Sequence, residues 1–338
     1  MGEAPVVGMA VTSLERSAVH KFQDATLVAG SSMVFSSDLA RGSLLHPFNP
    51  TREYLQEEVM GRITRSDGGA RFVFAQPPRR VARLEGDAVP LNLIHPNNYY
   101  HFLIEALPSI VALNESGHIT PDTTLVTGIL HPNMWWALQY CLGRARPTFL
   151  QLRLNQSVMC TRVVAAPPAA HAAELTDGSV SSYEYDWPAI RRLREVLAPL
   201  VARLAGDQRR KLFIRRRSPV RDLVNSEQLE QLATAAGYQV IDPGGLSFVD
   251  QVRIFSSASR VIGPTGAWAA NLLLVPQDAQ VTVLYPEPCR TGTSAWRGLG
   301  AAVGVEVRDL YCEVAVRNER QPIHSHFVCE PERLAEVL

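Results

Sequence analysis

The second half of the chain alternates strand-like and helix-like segments at a spacing that few architectures accept. Four apolar runs predict strands, and three segments with helical spacing between them predict helices, all within residues 211–286. The strands are expected at 211–215, 238–243, 259–264 and 279–286, and the helices at 225–237, 247–258 and 267–275. This alternation is typical of a parallel sheet with right-handed crossovers. It predicts a doubly wound α/β domain that binds ligands at the carboxyl ends of its strands.

The first half is also α/β but less regular. Strands are predicted at 25–30, 31–37, 70–76, 123–130 and 162–167, and helices at 98–113 and 134–143, whereas a helix at 186–206 opens the second half. Pro108 is expected to kink or divide the first of these helices. Residues 168–187 show no clear periodicity, so we predict an N-terminal domain over 1–185 and a C-terminal domain over 186–338. A closing helix is expected at 331–338, with the option of packing back on the N-terminal domain.

Charge and composition exclude several classes of protein. The 338 residues carry 33 Lys+Arg and 33 Asp+Glu, whereas proteins that bind nucleic acid usually carry a basic excess, so we expect no nucleic acid partner. Without a run of about 18 apolar residues or a secretory leader pattern, the chain is expected to be cytoplasmic with no transmembrane segment. The 5 cysteines form no CxxC pair, so we predict reduced thiols rather than a zinc site or a disulfide framework.

A run of cations surrounds the first strand of the C-terminal domain. Seven Arg and Lys side chains lie within residues 209–221 of an otherwise neutral chain. Arg215 and Arg216 come at the carboxyl end of the predicted strand, and Arg221 follows in the next loop. Guanidinium groups in such a place can bind phosphate oxygens through paired hydrogen bonds. A solvated loop held by salt bridges is the alternative.

A second candidate is the turn GPTGA at 263–267, between a predicted strand and a predicted helix. The N–H groups at the start of a helix and the helix dipole attract anions. A tight turn also needs glycine for steric reasons alone, so both explanations stay open. Asn271, among apolar neighbours in the helix, is expected to bind a backbone group rather than a ligand.

A third candidate is the pair His101 and Glu105, four residues apart and therefore on one helical face. A carboxylate can orient an imidazole there for proton transfer, although a surface pair is the alternative. Trp135 and Trp136 offer stacking to a sugar or base, with core packing as the alternative. The sequence lacks a GxxxxGK[ST] loop, a GxGxxG fingerprint, a GxSxG elbow, an HExxH helix and a DxD-like metal cluster. Arginines and helix amides would therefore have to balance any bound phosphate.

Three segments resemble, in order, the motifs of glycosyltransferase family 61: NYYHFLIEALPSIVAL (98–113), FIRRRSPVRDLVNSEQL (213–229) and LSFVDQVRIFSSASRVIGPTGAWAANLLLVP (246–276). The likeness covers roughly residues 90–288. It implies an α/β, GT-B-like architecture with two Rossmann-type domains facing each other across a cleft. It also implies an inverting, metal-independent transfer from a nucleotide diphosphate sugar, most often UDP-linked, without a cofactor, and donor binding by the C-terminal half.

The resemblance assigns roles to individual residues. His101 and Glu105 would carry the acceptor-side chemistry, with Glu105 preferred as the proton acceptor or as the group that orients His101. The donor site would comprise Arg215, Arg216, Arg221, Asn225, Gln251, Thr265, Gly266, Ala267, Trp268 and Asn271. No metal ligand is expected. The chain departs from the family pattern in three places: Thr265 replaces a histidine, Ser226 replaces a glutamate, and Trp268 replaces a small residue.

These features favour a hexosyl- or pentosyltransferase whose partners are a nucleotide-sugar donor and a glycan or small-molecule acceptor, with a homodimer as a possible assembly. Two other readings stay open. The Thr265 and Ser226 departures favour a catalytically retired scaffold subunit that binds nucleotide sugars. A different nucleotide-dependent transferase on the same architecture is the third reading, because a fold does not fix a function.

Overall fold

A computed structural model describes residues 10–13, 19–45, 63–66, 71–74, 76–91, 93–172, 183–287, 295–319 and 322–338. The chain divides into two compact units, residues 1–180 and 181–338. Both units combine strands with helices, which confirms the predicted α/β class.

The strands of the first unit are β1 (Ala10–Ser13), β2 (His20–Val28), β3 (Val34–Ser36), β4 (Arg41–Leu44), β5 (Ile63–Ser66), β6 (Arg71–Phe74), β7 (Arg79–Leu91), β8 (Thr124–Thr127), β9 (Thr148–Gln151), β10 (Gln156–Ala165) and β11 (Ala170–His171). Eight of them form a mixed sheet in the order β1-β4-β3-β2-β10-β7-β8-β9. β10, β7, β8 and β9 are parallel neighbours. Leu27, Val126, Val158 and Cys160 are fully buried in the core of this sheet, which explains the apolar runs in their strands.

The helices α1 (Leu107–Glu115) and α2 (Pro132–Leu142) follow β7 and β8. A π-helix, His101–Ala106, precedes α1 directly, and the Leu107 N–H donates to the Phe102 carbonyl five residues back. Pro108 is the reason for the change of helix type. It has no N–H, and its ring would clash with the carbonyl four residues earlier in a regular α-helix. Pro108 was expected to kink or divide this helix; residues 99–115 are instead helical without a break, and the helix type changes next to Pro108. The π-helix was not predicted.

The second unit contains the strands β12 (Glu184–Tyr185), β13 (Arg210–Ile214), β14 (Gln239–Ile241), β15 (Ala258–Pro264), β16 (Gln280–Pro286), β17 (Glu306–Val316) and β18 (His326–Val328). Its α-helices are α3 (Trp187–Leu204), α4 (Ser226–Ala235), α5 (Phe248–Phe255), α6 (Ala295–Val303) and α7 (Pro331–Ala335), and its 3₁₀-helices are Pro243–Gly245, Ala267–Leu273 and Pro322–His324.

Six strands of this unit form a sheet in the order β14-β13-β15-β16-β17-β18. The first five are parallel, of which the alternation predicted four and not β17, and β18 is antiparallel to β17. Numbered along the chain, the parallel strands have the doubly wound order 2-1-3-4-5, in which the connections reverse direction between β13 and β15. Ligands bind such sheets beyond the carboxyl ends of those two strands. α7 packs with α4 on one face of the sheet, where Leu229 and Leu334 are fully buried.

The helix predicted at 267–275 is wrong in type, because residues Ala267–Leu273 form a 3₁₀-helix. A 3₁₀-helix has three residues per turn, so Trp268 and Asn271 point to the same side. Both side chains are buried. The Trp268 Nε1–H donates to the Pro264 carbonyl at 2.6 Å, and the Asn271 amide donates to Gln251 at 2.9 Å. The tighter turn therefore lets both polar groups bond inside the core.

Candidate functional site

Arg216 and Gly266 contact each other at the point where the strand order reverses. Arg216 lies two residues after β13, and Gly266 lies two residues after β15. A Cβ on Gly266 would lie 2.8 Å from the Arg216 Nε and 2.9 Å from its Cδ. The backbone of Gly266 is extended, so glycine serves here for close approach rather than for an unusual φ. The two predicted donor elements are brought together.

Gly263 has a different reason to be glycine. A Cβ there would lie 2.5 Å from the Cβ of Ile214 on the neighbouring strand. The purely steric explanation of the GPTGA turn therefore applies to Gly263, whereas Gly266 faces the Arg216 side chain. Gly263 allows two neighbouring strands to pack closely, and Gly266 leaves space for the Arg216 side chain.

The guanidinium of Arg216 organises the loop that follows it. Its terminal nitrogens donate to the carbonyls of Val220 at 2.9 Å and Arg221 at 2.7 Å, and to the Ser218 hydroxyl at 2.9 Å. Burial and the nearby charge of Arg221 lower the pKa of Arg216 to about 10, with Asp222 opposing them. Arg216 is therefore still a cation at neutral pH.

Arg221 is held in an uncommon backbone conformation close to that cation. Its φ is 54°, in the left-handed region that non-glycine residues rarely occupy. Its N–H donates to the His324 carbonyl at 3.2 Å. The Nε of Arg221 is buried and has no hydrogen-bond partner within the described part of the chain. Buried unpaired donors are rare in folded proteins and mark places where a ligand or strain belongs.

Arg215 has a separate partner. Its guanidinium makes a bidentate ion pair with Glu230 on α4, with the Nε 3.0 Å from both carboxylate oxygens. The hydrogen bond and charge of Glu230 raise the pKa of Arg215 further. For this arginine, the salt-bridged alternative is the arrangement found.

Asn225 connects the loop between β13 and α4, residues 215–225, to the backbone that follows β18. We call this loop the arginine loop. Asn225 occupies the N-cap position of α4, but its side chain makes no capping bond. Instead, its Nδ2 donates to the Cys329 carbonyl at 2.8 Å, and its Oδ1 accepts the Cys329 N–H at 3.2 Å. The amide is fully used by the backbone that follows β18.

Two histidines missed by the sequence analysis also support this loop. The His326 Nδ1 accepts the Asp222 N–H at 3.2 Å, which leaves the ring proton on Nε2 in the neutral form. His324 provides the carbonyl that binds Arg221. Their HSH pattern in a weakly patterned segment was the available signal. They line a groove of about 310 Å³ together with Pro219, Val316, Arg317, Asn318 and Glu319.

Thr265 stands where the resemblance expects histidine, and its hydroxyl is buried. The Thr265 Oγ1 accepts the Nε1–H of Trp296 on α6 at 2.9 Å, which leaves the hydroxyl proton available as a donor. The Thr265 N–H donates to Leu284 at 2.8 Å. Trp268 stacks on Phe255 with ring centroids 6.4 Å apart. The sequence analysis did not single out Trp296, because nothing in its local pattern indicated this contact.

Gln251 and Asn271 are buried partners that position the turn rather than face solvent. The Gln251 Oε1 accepts the Asn271 amide, and its Nε2 donates to the Leu246 carbonyl at 3.4 Å. Asn271 therefore bonds to a side chain of α5. The pair links the 3₁₀-helix, which begins at Ala267, to α5.

His101 and Glu105 form the predicted pair in the first unit. The His101 Nδ1 lies 2.8 Å from a Glu105 carboxylate oxygen, and the side chains are 23% and 19% exposed. The ring of His95 stacks on His101 with centroids 4.3 Å apart. Asn98 accepts the backbone N–H of His101 at 3.4 Å and so fixes the start of this helical segment. When Glu105 accepts the Nδ1 proton, the Nε2 of His101 can act as a base.

The two tryptophans of α2, Trp135 and Trp136, differ in how far they are packed into the protein. Trp135 packs edge-on against Phe149, with centroids 4.6 Å apart. Trp136 is 36% exposed and stacks on Tyr140 with nearly parallel rings. The core-packing alternative therefore describes Trp135 better than Trp136.

The described residues contain no group of three or more His, Cys, Asp or Glu side chains placed to hold a metal ion. None of their helices combines the length and apolar character needed to cross a membrane.

The second unit has an open, doubly wound sheet with arginines where its strand order reverses. This arrangement is typical of α/β proteins that bind ligands at the carboxyl ends of their strands. The family comparison is more specific. Residues 99–282, more than half of the chain, match the model of Glycosyltransferase 61. The protein therefore belongs to glycosyltransferase family 61, which confirms the resemblance and supports glycosyltransferase activity towards a donor and an acceptor. None of the curated proteins compared with the chain matches it.

Proposed function

We propose that this glycosyltransferase is inverting and metal-independent, and moves a hexosyl or pentosyl group from a UDP-sugar to a hydroxyl of a glycan or small-molecule acceptor. The observation that carries the proposal is the closeness of Arg216 and Arg221 to each other beside the Gly266 turn. We assign donor binding to residues 186–338 and acceptor binding to residues 1–185, in a GT-B-like architecture. The cytoplasmic location and the homodimer stay predictions.

The arginine pair supports binding of a diphosphate. Two cations held together in a partly buried loop repel each other, which is one reason for the lowered pKa of Arg216. The buried Arg221 Nε is a donor without a partner in the described residues. A dianionic ligand would remove the repulsion and accept that hydrogen bond, and charge-assisted bonds of this kind are the stronger ones.

The same charges would help the leaving group depart. As the bond from the sugar to the diphosphate breaks, negative charge grows on the phosphate oxygens. Fixed cations stabilise that charge most when they need no rearrangement. Arg216 is fixed by three hydrogen bonds to its own loop, so it would meet the developing charge already in place.

The His101–Glu105 pair would handle the acceptor proton. In this proposal, the His101 Nε2 accepts the proton of the attacking hydroxyl, and Glu105 stabilises the imidazolium through Nδ1. The 2.8 Å contact between the two side chains supports this division of roles. General-base catalysis typically contributes about a hundred- to ten-thousandfold in rate.

The second candidate function is a retired scaffold subunit that binds the donor without turnover. It is favoured by the hydroxyl of Thr265, which binds Trp296 where the family pattern has an imidazole. A transfer assay run beside a binding assay separates the two. Saturable UDP-sugar binding with neither transfer to a broad acceptor panel nor hydrolysis would support the scaffold.

The central test is a thermal-shift panel of UDP, GDP, CDP, ADP and their sugar conjugates, each with and without EDTA. Stabilisation grows as RT ln(1 + [L]/Kd), so a ligand well above its Kd stands out. The proposal expects that UDP and one UDP-sugar each raise the melting temperature, and that EDTA does not change either shift. A shift abolished by EDTA would contradict metal independence, and no shift with any diphosphate would contradict the donor site.

A further inference from the structure

Two cysteines of the second unit lie directly opposite each other on neighbouring strands. The antiparallel register of β17 and β18 pairs Glu313 with Val328 and Val314 with Phe327. The same register places Cys312 opposite Cys329, the residue that follows β18. Both residues are buried in the core, with 2% and 1% exposure. Both are free thiols.

The backbone bonding shows which kind of cross-strand pair this is. Opposite residues in an antiparallel sheet alternate between pairs that exchange backbone hydrogen bonds and pairs that do not. The N–H and the carbonyl of Cys329 both bind Asn225, so neither is exchanged with Cys312. The Phe327 N–H and carbonyl likewise bind Asp222 and Val224. Cys312 and Cys329 are therefore a non-hydrogen-bonded pair.

That geometry suits a disulfide. Non-hydrogen-bonded pairs have Cα atoms about 4.5 Å apart and side chains closer together than the other kind. Disulfides span Cα separations of about 4.4–6.8 Å. Each thiol lies near a backbone carbonyl, the Cys312 Sγ 3.6 Å from that of Leu310 and the Cys329 Sγ 3.7 Å from that of Glu330. The closeness of the two thiols raises the pKa of Cys312 and lowers the pKa of Cys329. Little movement is needed for the sulfurs to bond.

We propose that Cys312 and Cys329 are a redox modification site that forms a reversible intramolecular disulfide when the protein meets hydrogen peroxide. The Cys329 thiol loses its proton and attacks a peroxide oxygen as the thiolate, the O–O bond breaks, and that proton joins the departing hydroxide, so that a sulfenic acid and one water form. The Cys312 sulfur then attacks the Cys329 sulfur, the S–S bond forms as the S–O bond breaks, and the Cys312 proton leaves with the hydroxide as the second water. The two thiols lose two electrons, the peroxide gains them, and a dithiol reductant reverses the step.

The disulfide would fasten the strand that supports the arginine loop. β18 is bonded to β17 on one side, and its other side receives the loop through Asp222, Val224 and Asn225. A bond between Cys312 and Cys329 would join β17 covalently to the segment that follows β18, which holds the arginine loop through Asn225. The oxidised protein should therefore melt at a higher temperature than the reduced protein. This inference is independent of sugar transfer, since it rests on the strand register and on the two thiols that the register pairs.

The test uses the full chain, treated with hydrogen peroxide, alkylated under denaturing conditions and mapped by mass spectrometry. The expected result is a cross-linked peptide pair containing Cys312 and Cys329, a loss of both free thiols and a mass lower by two hydrogens. Dithiothreitol should restore both thiols. Cys312→Ser should abolish the cross-link, whereas Cys141→Ala should retain it, because burial raises the pKa of Cys141 to about 12 and keeps it as a thiol.

The wild-type peptide map decides the question even if a variant fails to fold. Recovery of both residues as alkylated free thiols after peroxide treatment would overturn the proposal. A dominant cross-link from either residue to Cys289, which lies outside the described residues, would overturn it as well.

Discussion

The Nε of Arg216 lies where the missing side chain of Gly266 would be, 2.8 Å from the ideal Cβ position. This contact joins the ends of two adjacent parallel strands at the reversal point of the sheet. The cation and the turn amides consequently share one small region. Two separate sequence motifs, one containing Arg216 and one containing Gly266, therefore lie next to each other in the fold.

Gly266→Ala should weaken UDP binding at least about tenfold, because the new methyl would displace a guanidinium that is fixed by its own loop. Titration calorimetry measures the affinity, and urea unfolding should report a cost of about 1–3 kcal/mol for overpacking. Gly245→Ala is the matched control, since a Cβ at Gly245 meets nothing within 4 Å. Unchanged UDP affinity in Gly266→Ala would remove the Arg216–Gly266 contact from the donor site.

Arg221→Gln should reduce UDP affinity by about ten- to a hundredfold, because a hydrogen bond to a charged group contributes roughly 1.5–3 kcal/mol. The loss should shrink as salt is raised, since screening weakens the ionic part of the interaction. Arg209→Gln removes the same charge from the opposite end of β13, where Arg209 pairs with Asp278. Equal losses in both variants would point to general electrostatics and against a specific site.

Glu105→Gln and His101→Ala should each lower kcat by about a hundred- to ten-thousandfold while leaving the dissociation constant of UDP unchanged. The reason is that the pair would act on the acceptor proton and not on the diphosphate. Steady-state transfer kinetics and calorimetry measure the two effects separately. Glu115→Gln, at the far end of α1, serves as the control on the same helix. Near-normal turnover in both test variants would exclude the pair from the chemistry.

The sequence predicted the features that depend on local periodicity and capping. The parallel strands β13 to β16 follow from apolar runs separated by helical segments. The start of α5 is another example, because the helix predicted from residue 247 begins directly after Ser247, whose Oγ accepts the N–H of Asp250 at 3.1 Å. Such contacts join near neighbours and leave a signature in a short window of sequence.

The contacts that define the candidate site join distant residues and leave no such signature. Asn225 binds a residue 104 positions away, and Thr265 binds one 31 positions away. The ion pair between Arg215 and Glu230 crosses from a strand end to a helix. A cation run alone could not show which arginine is paired and which is left beside the turn. Only tertiary packing separates Arg215 from Arg216 and Arg221.

Thr265→Val tests whether the hydroxyl that replaces the family histidine holds the turn in place. The change keeps the side-chain shape but leaves the buried Trp296 Nε1–H without its acceptor, so the free energy of unfolding should fall by about 1–3 kcal/mol. Urea unfolding measures this loss. Thr265→Ser retains the hydroxyl and should recover most of the stability, losing only one methyl group. If the valine and serine variants unfold at the same urea concentration, the hydrogen bond between Thr265 and Trp296 does not stabilise the turn. The presence of a hydroxyl at this position would then need another explanation.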